Sequence, residues 1–299
     1  MEAFTMILVD FNQVMIATIM INLRNSPTID IDLVRHMVLN TLRSYRVRFG
    51  NKYGEMVLCH DARHPWRRDI FPEYKANRAK QKAATLARVA SAPDGVEIDE
   101  TPTWLHVING LNQIRDELRE TFPYKNVWVE RAEADDIIAT ICKHVHEPTI
   151  IVSSDKDFQQ LQKYPHVTQW SPTKKALLKC KDPERFLREH ILRGDTSDGV
   201  PNFLSADDVF VVEGKRQKPI STKKLETWMD LDPDDFCTDV QLSNLDRNRQ
   251  MVDFTYIPTE IADAALEAYA KTPEGARNKI FPYFIKHKLT KLMSSIQEF

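Results

Sequence analysis

The sequence predicts an α/β fold: a mostly parallel central sheet flanked by helices, followed by a mainly helical carboxy-terminal part. Two observations carry this. Four short apolar runs, Met6 to Val9, Met56 to Cys59, Val127 to Val129 and Ile150 to Val152, are bounded by polar residues and alternate with stretches of helical spacing. Such runs read as buried parallel strands. Each run also ends in carboxylates: Asp10, then Asp61, then Glu130, Glu133, Asp135 and Asp136, then Asp155 and Asp157. In an open α/β sheet the ligand site lies beyond the carboxyl ends of the strands. Acids gathered there repel one another unless cations sit among them, and hard divalent ions such as Mg²⁺ are the natural counter-ions of an all-oxygen set.

The elements follow in order. Val14 to Leu23 is apolar but too short to span a bilayer, so it reads as a helix buried against the first strand. Residues 30–49 carry Ile31, Val34, Val38 and Leu42 at helical spacing, with Arg35, Arg43 and Arg46 expected on the surface. The second strand covers 55–61. A basic stretch with helical patches around 73–90 comes next, and Ser91-Ala92-Pro93-Asp94-Gly95 breaks it. A helix from about Pro102 to Arg119 returns to the third strand. Glu133-Ala134-Asp135-Asp136 opens a helix with Ile137, Ile138, Ile141 and Val145 as its apolar residues, and carboxylates in a first turn suit the helix dipole. After the fourth strand come a short helix from Phe158 to Leu161 and a fifth strand from Val167 to Trp170. From about Pro183 the chain is mostly helical. The turn from Gly194 to Pro201 adds Asp195 and Asp198, and Asp230 to Asp239 reads as a solvated acidic loop. A change of texture near residue 180 divides the chain into an α/β core, 1–180, and a helical part, 181–299, that share an interface.

The chain has 299 residues and a net charge of −2. That small figure hides an asymmetry. From Ala62 to Ala90 there are eight basic residues against Asp69 and Glu73 alone. The basic residues are Arg63, Arg67, Arg68, Lys75, Arg78, Lys80, Lys82 and Arg88, and Trp66, Phe71 and Tyr74 are mixed among them. Cations interleaved with aromatics suit phosphate contacts and base stacking, and a basic segment beside an acidic crevice points to a polyanionic substrate at a metal site. The four cysteines, at 59, 142, 180 and 237, form no C-x-x-C pair, which suggests a reducing cytosol. No signal peptide is evident.

A lone Asp after a strand is usually a helix cap or turn residue. Four strands doing the same thing weaken that reading, as do the paired acids Asp155-x-Asp157 and Asp195-x-x-Asp198. Asp136 fits the set least. No G-x-x-x-x-G-K-[ST] loop supports an ATPase, no G-x-G-x-x-G follows a strand, and no G-x-S-x-G elbow is present. His60, His64, His144 and His146 lack partners at zinc-ligand spacing.

With these residues in place, the chain resembles the 5′-nucleases, the family of flap endonucleases and the 5′→3′ exonuclease domains of bacterial DNA polymerases, in the branch of the T-even phage ribonucleases H. Seven ordered blocks carry the likeness along nearly the whole chain. They include Ile7-Leu8-Val9-Asp10-Phe11, Trp66-Arg67-Arg68-Asp69, Tyr74-Lys75-x-Asn77-Arg78, Glu133-Ala134-Asp135-Asp136, Ser153-Ser154-Asp155-Lys156-Asp157-Phe158 and Gly194-Asp195-x-x-Asp198. The resemblance implies a PIN-like 5′-nuclease core. Asp10, Asp61, Glu133, Asp135, Asp155, Asp157, Asp195 and Asp198 would hold two Mg²⁺ ions, with Mn²⁺ able to substitute. It implies a helical arch over about 62–100. Lys75 and Arg78 would stand at its base, one helical turn apart if 73–80 is helical, facing the scissile phosphate with Tyr74 beside them. Arg63, Arg67, Arg68, Lys80, Lys82 and Arg88 are the expected further nucleic-acid contacts. The turn at 194–201 would open a helical hairpin that grips duplex backbone, although Gly199-Val200-Pro201-Asn202-Phe203-Leu204-Ser205 lacks the glycines common there in the family.

The implied activity is Mg²⁺-dependent 5′→3′ hydrolysis of RNA primers in RNA:DNA hybrids and of flapped or forked DNA, serving primer removal in phage replication. The enzyme would be a monomer in the bacterial cytoplasm, off the membrane, with a single-strand DNA-binding protein and a sliding clamp as partners. The alternatives are a PIN-type endoribonuclease, usually shorter and without the arch block, and an inert DNA-binding subunit, which would be expected to have lost several acids. For the tail from Phe281 to Phe299 the choice lies between partner anchors (Phe284, Leu289, Leu292 and Ile296) and a helix packed on the body.

Overall fold

The computed structural model describes residues 5–22, 30–76 and 103–299. Its strands are β1 (Met6–Asp10), β2 (Glu55–His60), β3 (Lys125–Trp128), β4 (Thr149–Val152), β5 (Val167–Ser171) and β6 (Ala176–Leu178). They form one sheet in the order β3-β2-β1-β4-β5-β6, parallel throughout except for β6. The order reverses beside β1: the chain adds β2 and β3 on one side, then β4, β5 and β6 on the other. Such a switch point opens a crevice at the carboxyl ends of the central strands.

Successive side chains of a strand point to opposite faces. Ile7, Val9, Met56, Leu58, Ile150 and Val152 therefore enter one apolar cluster. Met6, Leu8, Val57, Cys59 and Ile151 enter another. The first face is covered by helices α1 (Phe11–Asn22), α2 (Ile31–Tyr53) and α4 (Thr103–Thr121). The second is covered by α5 (Ala134–His144). A four-residue helix, α3 (Arg67–Ile70), lies after β2. Strands β1, β2 and β4 are buried on both faces, which is why they read as unbroken apolar runs.

The remaining helices are α6 (Pro183–Arg193), α7 (Thr222–Met229), α8 (Asp239–Val252), α9 (Thr259–Ala270), α10 (Arg277–Lys286) and α11 (Thr290–Met293). The helical part is not stacked on one side of the core. Ile261 and Ala265 of α9 join the α5 face, while Ile280, Phe284, Leu292 and Phe299 join the opposite one. The tail thus packs on the body, with Phe284, Leu289 and Leu292 buried.

Several expectations are corrected. Helix α2 runs on to Tyr53, where Gly54 at a φ of 65° ends it. Arg35 is buried against Glu117, with bonds of 2.7 and 2.8 Å, instead of lying on the surface. Lys75 is not helical: residues 72–75 are turns, and its φ is positive. The segment 194–221 holds an antiparallel bridge between Asp195 and Val200, turns, and a 3-10 turn at Asp207–Phe210. In the glycine-poor stretch the Asn202 side chain organises the loop, accepting from Leu204 N–H and the Ser205 hydroxyl and donating to the Lys218 carbonyl. Arg78, Lys80, Lys82, Arg88 and the part of the expected arch beyond residue 76 lie outside the described residues. Among the described residues no helix is long and apolar enough to cross a membrane.

Candidate metal centre

Strand register gathers the acids. Asp10 pairs with Cys59, so Asp61 stands two residues further on, just past the end of β2. Val9 pairs with Val152, so Ser153 lies beside Asp10 and its hydroxyl donates to Asp10 at 3.0 Å. Asp155 follows at the mouth of the switch point. Asp61 accepts from the Asn12 amide at 3.0 Å and from the Ala134 N–H at 2.8 Å. The amino end of α5 thus feeds a backbone donor into the site, as helix starts do for anions.

Glu133 and Asp136 close a capping box at that helix start. Their charges meet Arg67, whose guanidinium lies 3.1 Å from Glu133 and 2.8 Å from Asp136 and donates to the Met251 carbonyl at 2.9 Å. Arg67 is 1% exposed, so it is a structural counter-charge and not the surface phosphate contact expected. Trp66, Phe71 and Tyr74 are also buried and offer no face for base stacking. The Trp66 indole donates to Asp136 at 3.0 Å. Arg67 reads as part of a surface charge run because its partners lie 66 and more residues further along the chain.

Lys75 reaches into the crevice from the other side. Its ammonium lies 2.6 Å from Glu133 and 3.3 Å from Asp198, and its N–H donates to the Asp198 carbonyl at 2.7 Å. The Tyr74 hydroxyl sits 2.9 Å from both of the same carboxylates. Having one proton, it donates to one of them at a time.

Asp195 hangs from the end of α6. Gly194 precedes it at a φ of 66°, and a Cβ there would lie 2.4 Å from the carbonyls of Val200 and Pro201, so the turn requires glycine. Asp195 accepts from the Ser197 N–H at 2.8 Å and pairs with Lys156 at 3.1 Å. His190, on the buried side of α6, brings Nε2 within 3.0 Å of Asp157 and 3.6 Å of Asp195.

The eight expected acids are linked in one chain of charge contacts. Asp10 feels Asp61 and Asp155, and Asp155 feels Asp157, Asp198 and Asp195. Asp198 reaches Glu133 and Asp135 through Lys75, Tyr74 and Arg67. Burial, then the charges of Asp61 and Asp155, push the Asp10 carboxyl up to about 8. Burial, then Asp157, push Asp155 up to about 6. Burial also raises Asp135. Burial acts the same way on Glu133, but Lys75 and Arg67 overcome it and hold the carboxyl down at about 2. Neighbouring acids add to burial in raising Asp10 and Asp155, which marks a site short of positive charge on that side. An oxygen donor set with this deficit fits divalent cations. Among the described residues two groups bring ligand atoms within 4.8 Å of one another: Glu133 with Asp135 and Asp136, and Asp157 with His190 and Asp195.

Beside Asp61 the crevice opens into a cavity of about 960 Å³ lined by Asn12, Arg63, Arg115, Arg119 and Lys125 among others. Arg63 and Arg68 are exposed. Sequence reasoning missed Asn12, Ser153, Lys156, Ser197 and His190. Asn12 and Ser153 adjoin predicted acids and were within reach of a neighbour argument. His190 had no spacing signal.

Comparison with known proteins extends this picture. A family model described as 5′-3′ exonuclease, N-terminal resolvase-like domain, matches residues 5–190, and one described as T4 RNase H, C terminal, matches residues 182–299. The chain is 32% identical over 306 residues to the ribonuclease H of Enterobacteria phage T4, covering 98% of this chain and 95% of that protein. It is 29% identical over 161 residues to a 5′-3′ exonuclease of Streptomyces coelicolor, covering 49% of this chain and 50% of that one. The fold is also that of the T5 flap endonuclease solved with DNA and metal ions (TM-score 0.58, 16% identity, 88% of this chain and 97% of that one). The T5 5′-exonuclease with bound zinc is similar as well (TM-score 0.55, 17% identity, 89% of this chain and 98% of that one).

Proposed function

The chain belongs to the 5′-nuclease family of 5′-3′ exonucleases and flap endonucleases, with a carboxy-terminal part of the T4 RNase H type, and on that premise we propose that it is a Mg²⁺-dependent phosphodiesterase acting on RNA primers paired to DNA and on DNA with 5′ ends or flaps. Primer removal in phage replication is the setting this reading implies. The observation that carries it is the convergence of Asp10, Asp61, Glu133, Asp135, Asp155, Asp157, Asp195 and Asp198 at the carboxyl end of the sheet, with Lys75 laid among them.

Bound divalent ions supply two things in such a site: activation of the attacking water and charge stabilisation of the leaving 3′ oxygen. The protein's own groups do the rest. Ser153 holds the Asp10 carboxylate, and Asn12 with the Ala134 N–H holds that of Asp61. Arg67 and Tyr74 fix Glu133. The Lys75 ammonium, now shared by Glu133 and Asp198, is positioned to turn toward a non-bridging phosphate oxygen and neutralise the charge that develops there. Arg63 and Arg68 stand exposed after β2, where a backbone entering the crevice would pass.

The test is cleavage of a labelled 5′-flap DNA and of an RNA:DNA hybrid, each with Mg²⁺ and with EDTA. Cleavage of both from the 5′ side, abolished by EDTA, is the expected result. Cleavage of neither, or cleavage that survives EDTA, would end this reading.

A further inference from the structure

Asp157, His190 and Asp195 each bring one ligand atom to a common point, all within 4.8 Å of one another. His190 is 5% exposed. Its Nε2 lies 3.0 Å from Asp157 Oδ1 and 3.6 Å from Asp195 Oδ2. The nearer contact is close without being aligned as a hydrogen bond: among the described residues neither His190 Nε2 nor Asp157 Oδ1 has a hydrogen-bond partner, and both atoms are buried. Buried polar atoms left unmet are rare and call for a cause. Ligand bonds of about 2.1 Å put neighbouring ligands of one ion roughly 3 to 3.5 Å apart. The Asp157 contact, at 3.0 Å, falls in that range and the Asp195 contact, at 3.6 Å, just beyond it.

We propose that His190 is a nitrogen ligand of an ion held with Asp157 and Asp195, and that it gives this ion position a preference for divalent transition metals over Mg²⁺. The proposal rests on the reading of the carboxylate crevice as a divalent-metal site, and it changes what that site selects. A purely carboxylate position suits Mg²⁺ and Mn²⁺, whereas imidazole favours Zn²⁺ and its transition-metal neighbours. The ring is held for this purpose. Phe186, one turn earlier on α6, stacks on it at 5.8 Å and 24°. Lys156 pairs with the same Asp195 oxygen that faces His190, so an arriving cation must displace that ammonium. This gives a selective entry condition: an ion that gains from nitrogen ligation has more to offset the lost pair than Mg²⁺ has.

The experiment uses the full chain stripped of metal. Mn²⁺ is added and its electron spin echo is examined for coupling to a ¹⁴N nucleus, and Zn²⁺ and Mg²⁺ affinities are measured by calorimetry. Wild type is compared with His190→Gln and with Asp157→Asn. Nitrogen coupling is expected in the wild type and lost in His190→Gln. Removing a ligand should cost at least what loss of a ligand's outer partner costs, so His190→Gln should weaken Zn²⁺ about tenfold or more while Mg²⁺ changes far less. The wild-type spectrum needs no variant to fold. If ions bind and Asp157→Asn weakens them, but no nitrogen coupling appears and His190→Gln binds Zn²⁺ as the wild type does, His190 is a packing residue and the proposal is wrong. If Asp157→Asn leaves every ion's affinity unchanged, the metal-site reading itself fails at this position.

Discussion

Lys75 holds its backbone in the left-handed region, at a φ of 57°, and its ammonium between Glu133 and Asp198. That conformation costs a non-glycine residue about 1–2 kcal/mol, a strain that tends to mark functional positions. A contact made mainly in the transition state lowers turnover when removed, whereas one made equally in the ground state lowers affinity. Lys75→Ala should therefore reduce the single-turnover rate at saturating substrate by a larger factor than it weakens substrate binding. If affinity alone falls, Lys75 is only a tether. The acids make a second prediction at this scale. Asp10 and Asp155 have folded-state values raised to about 8 and about 6, above the ordinary carboxylate range, by burial first and neighbouring acids second. Their stability contribution is full at acid pH and is lost as pH rises through those values. The metal-free protein should thus lose thermal stability between about pH 4 and 8. Mg²⁺ should restore more at pH 8 than at pH 5, and Asp10→Asn should raise the metal-free midpoint at pH 8. A flat wild-type profile, with Asp10→Asn no more stable, would contradict this placement of charge. Glu133 runs the other way: held at about 2, it stabilises above the ordinary range and gives that up only in strong acid.

At the scale of elements, α3 and the start of α5 are joined through Arg67, Trp66 and the carboxylates of Glu133 and Asp136. Removing one partner of a buried ion pair leaves the others uncompensated and costs about 3–5 kcal/mol. Arg67→Met should lose stability on that scale in urea unfolding, while Arg68→Met, exposed one residue later, should lose little. Equal, small losses in both would show that the guanidinium is not needed there. This pair also marks where the sequence stops being legible. The strands and their terminal acids could be read because strands buried on both faces are short apolar runs, and the acids follow directly. Whether a cation faces water or a buried carboxylate is decided by contacts far along the chain, and composition carries no trace of that. Arg35 with Glu117 and Arg67 with Glu133 were misread for this one reason. The short antiparallel β6 and the unaligned His190 were invisible because neither repeats a pattern.

For the molecule as a whole, the reversal of strand order beside β1 is the central fact. It opens the crevice between β1 and β4, and register then sets Asp10, Asp61 and Asp155 around it. The way the later helices divide between the two sheet faces was not legible in sequence, because it depends on side chains such as Ile261 and Phe299 meeting cores built by the first half. Asp195 and Asp198 come from that later half, so the proposed site exists only when both parts are folded together. The most direct test of this account is the single-turnover rate of flap cleavage with Mg²⁺ for the wild type and for Asp155→Asn, with folding checked by thermal unfolding. The account predicts that Asp155→Asn stays folded, with a metal-free midpoint no lower than the wild type because a repelling charge is gone, and loses several orders of magnitude in rate. Cleavage by Asp155→Asn at the wild-type rate would contradict it.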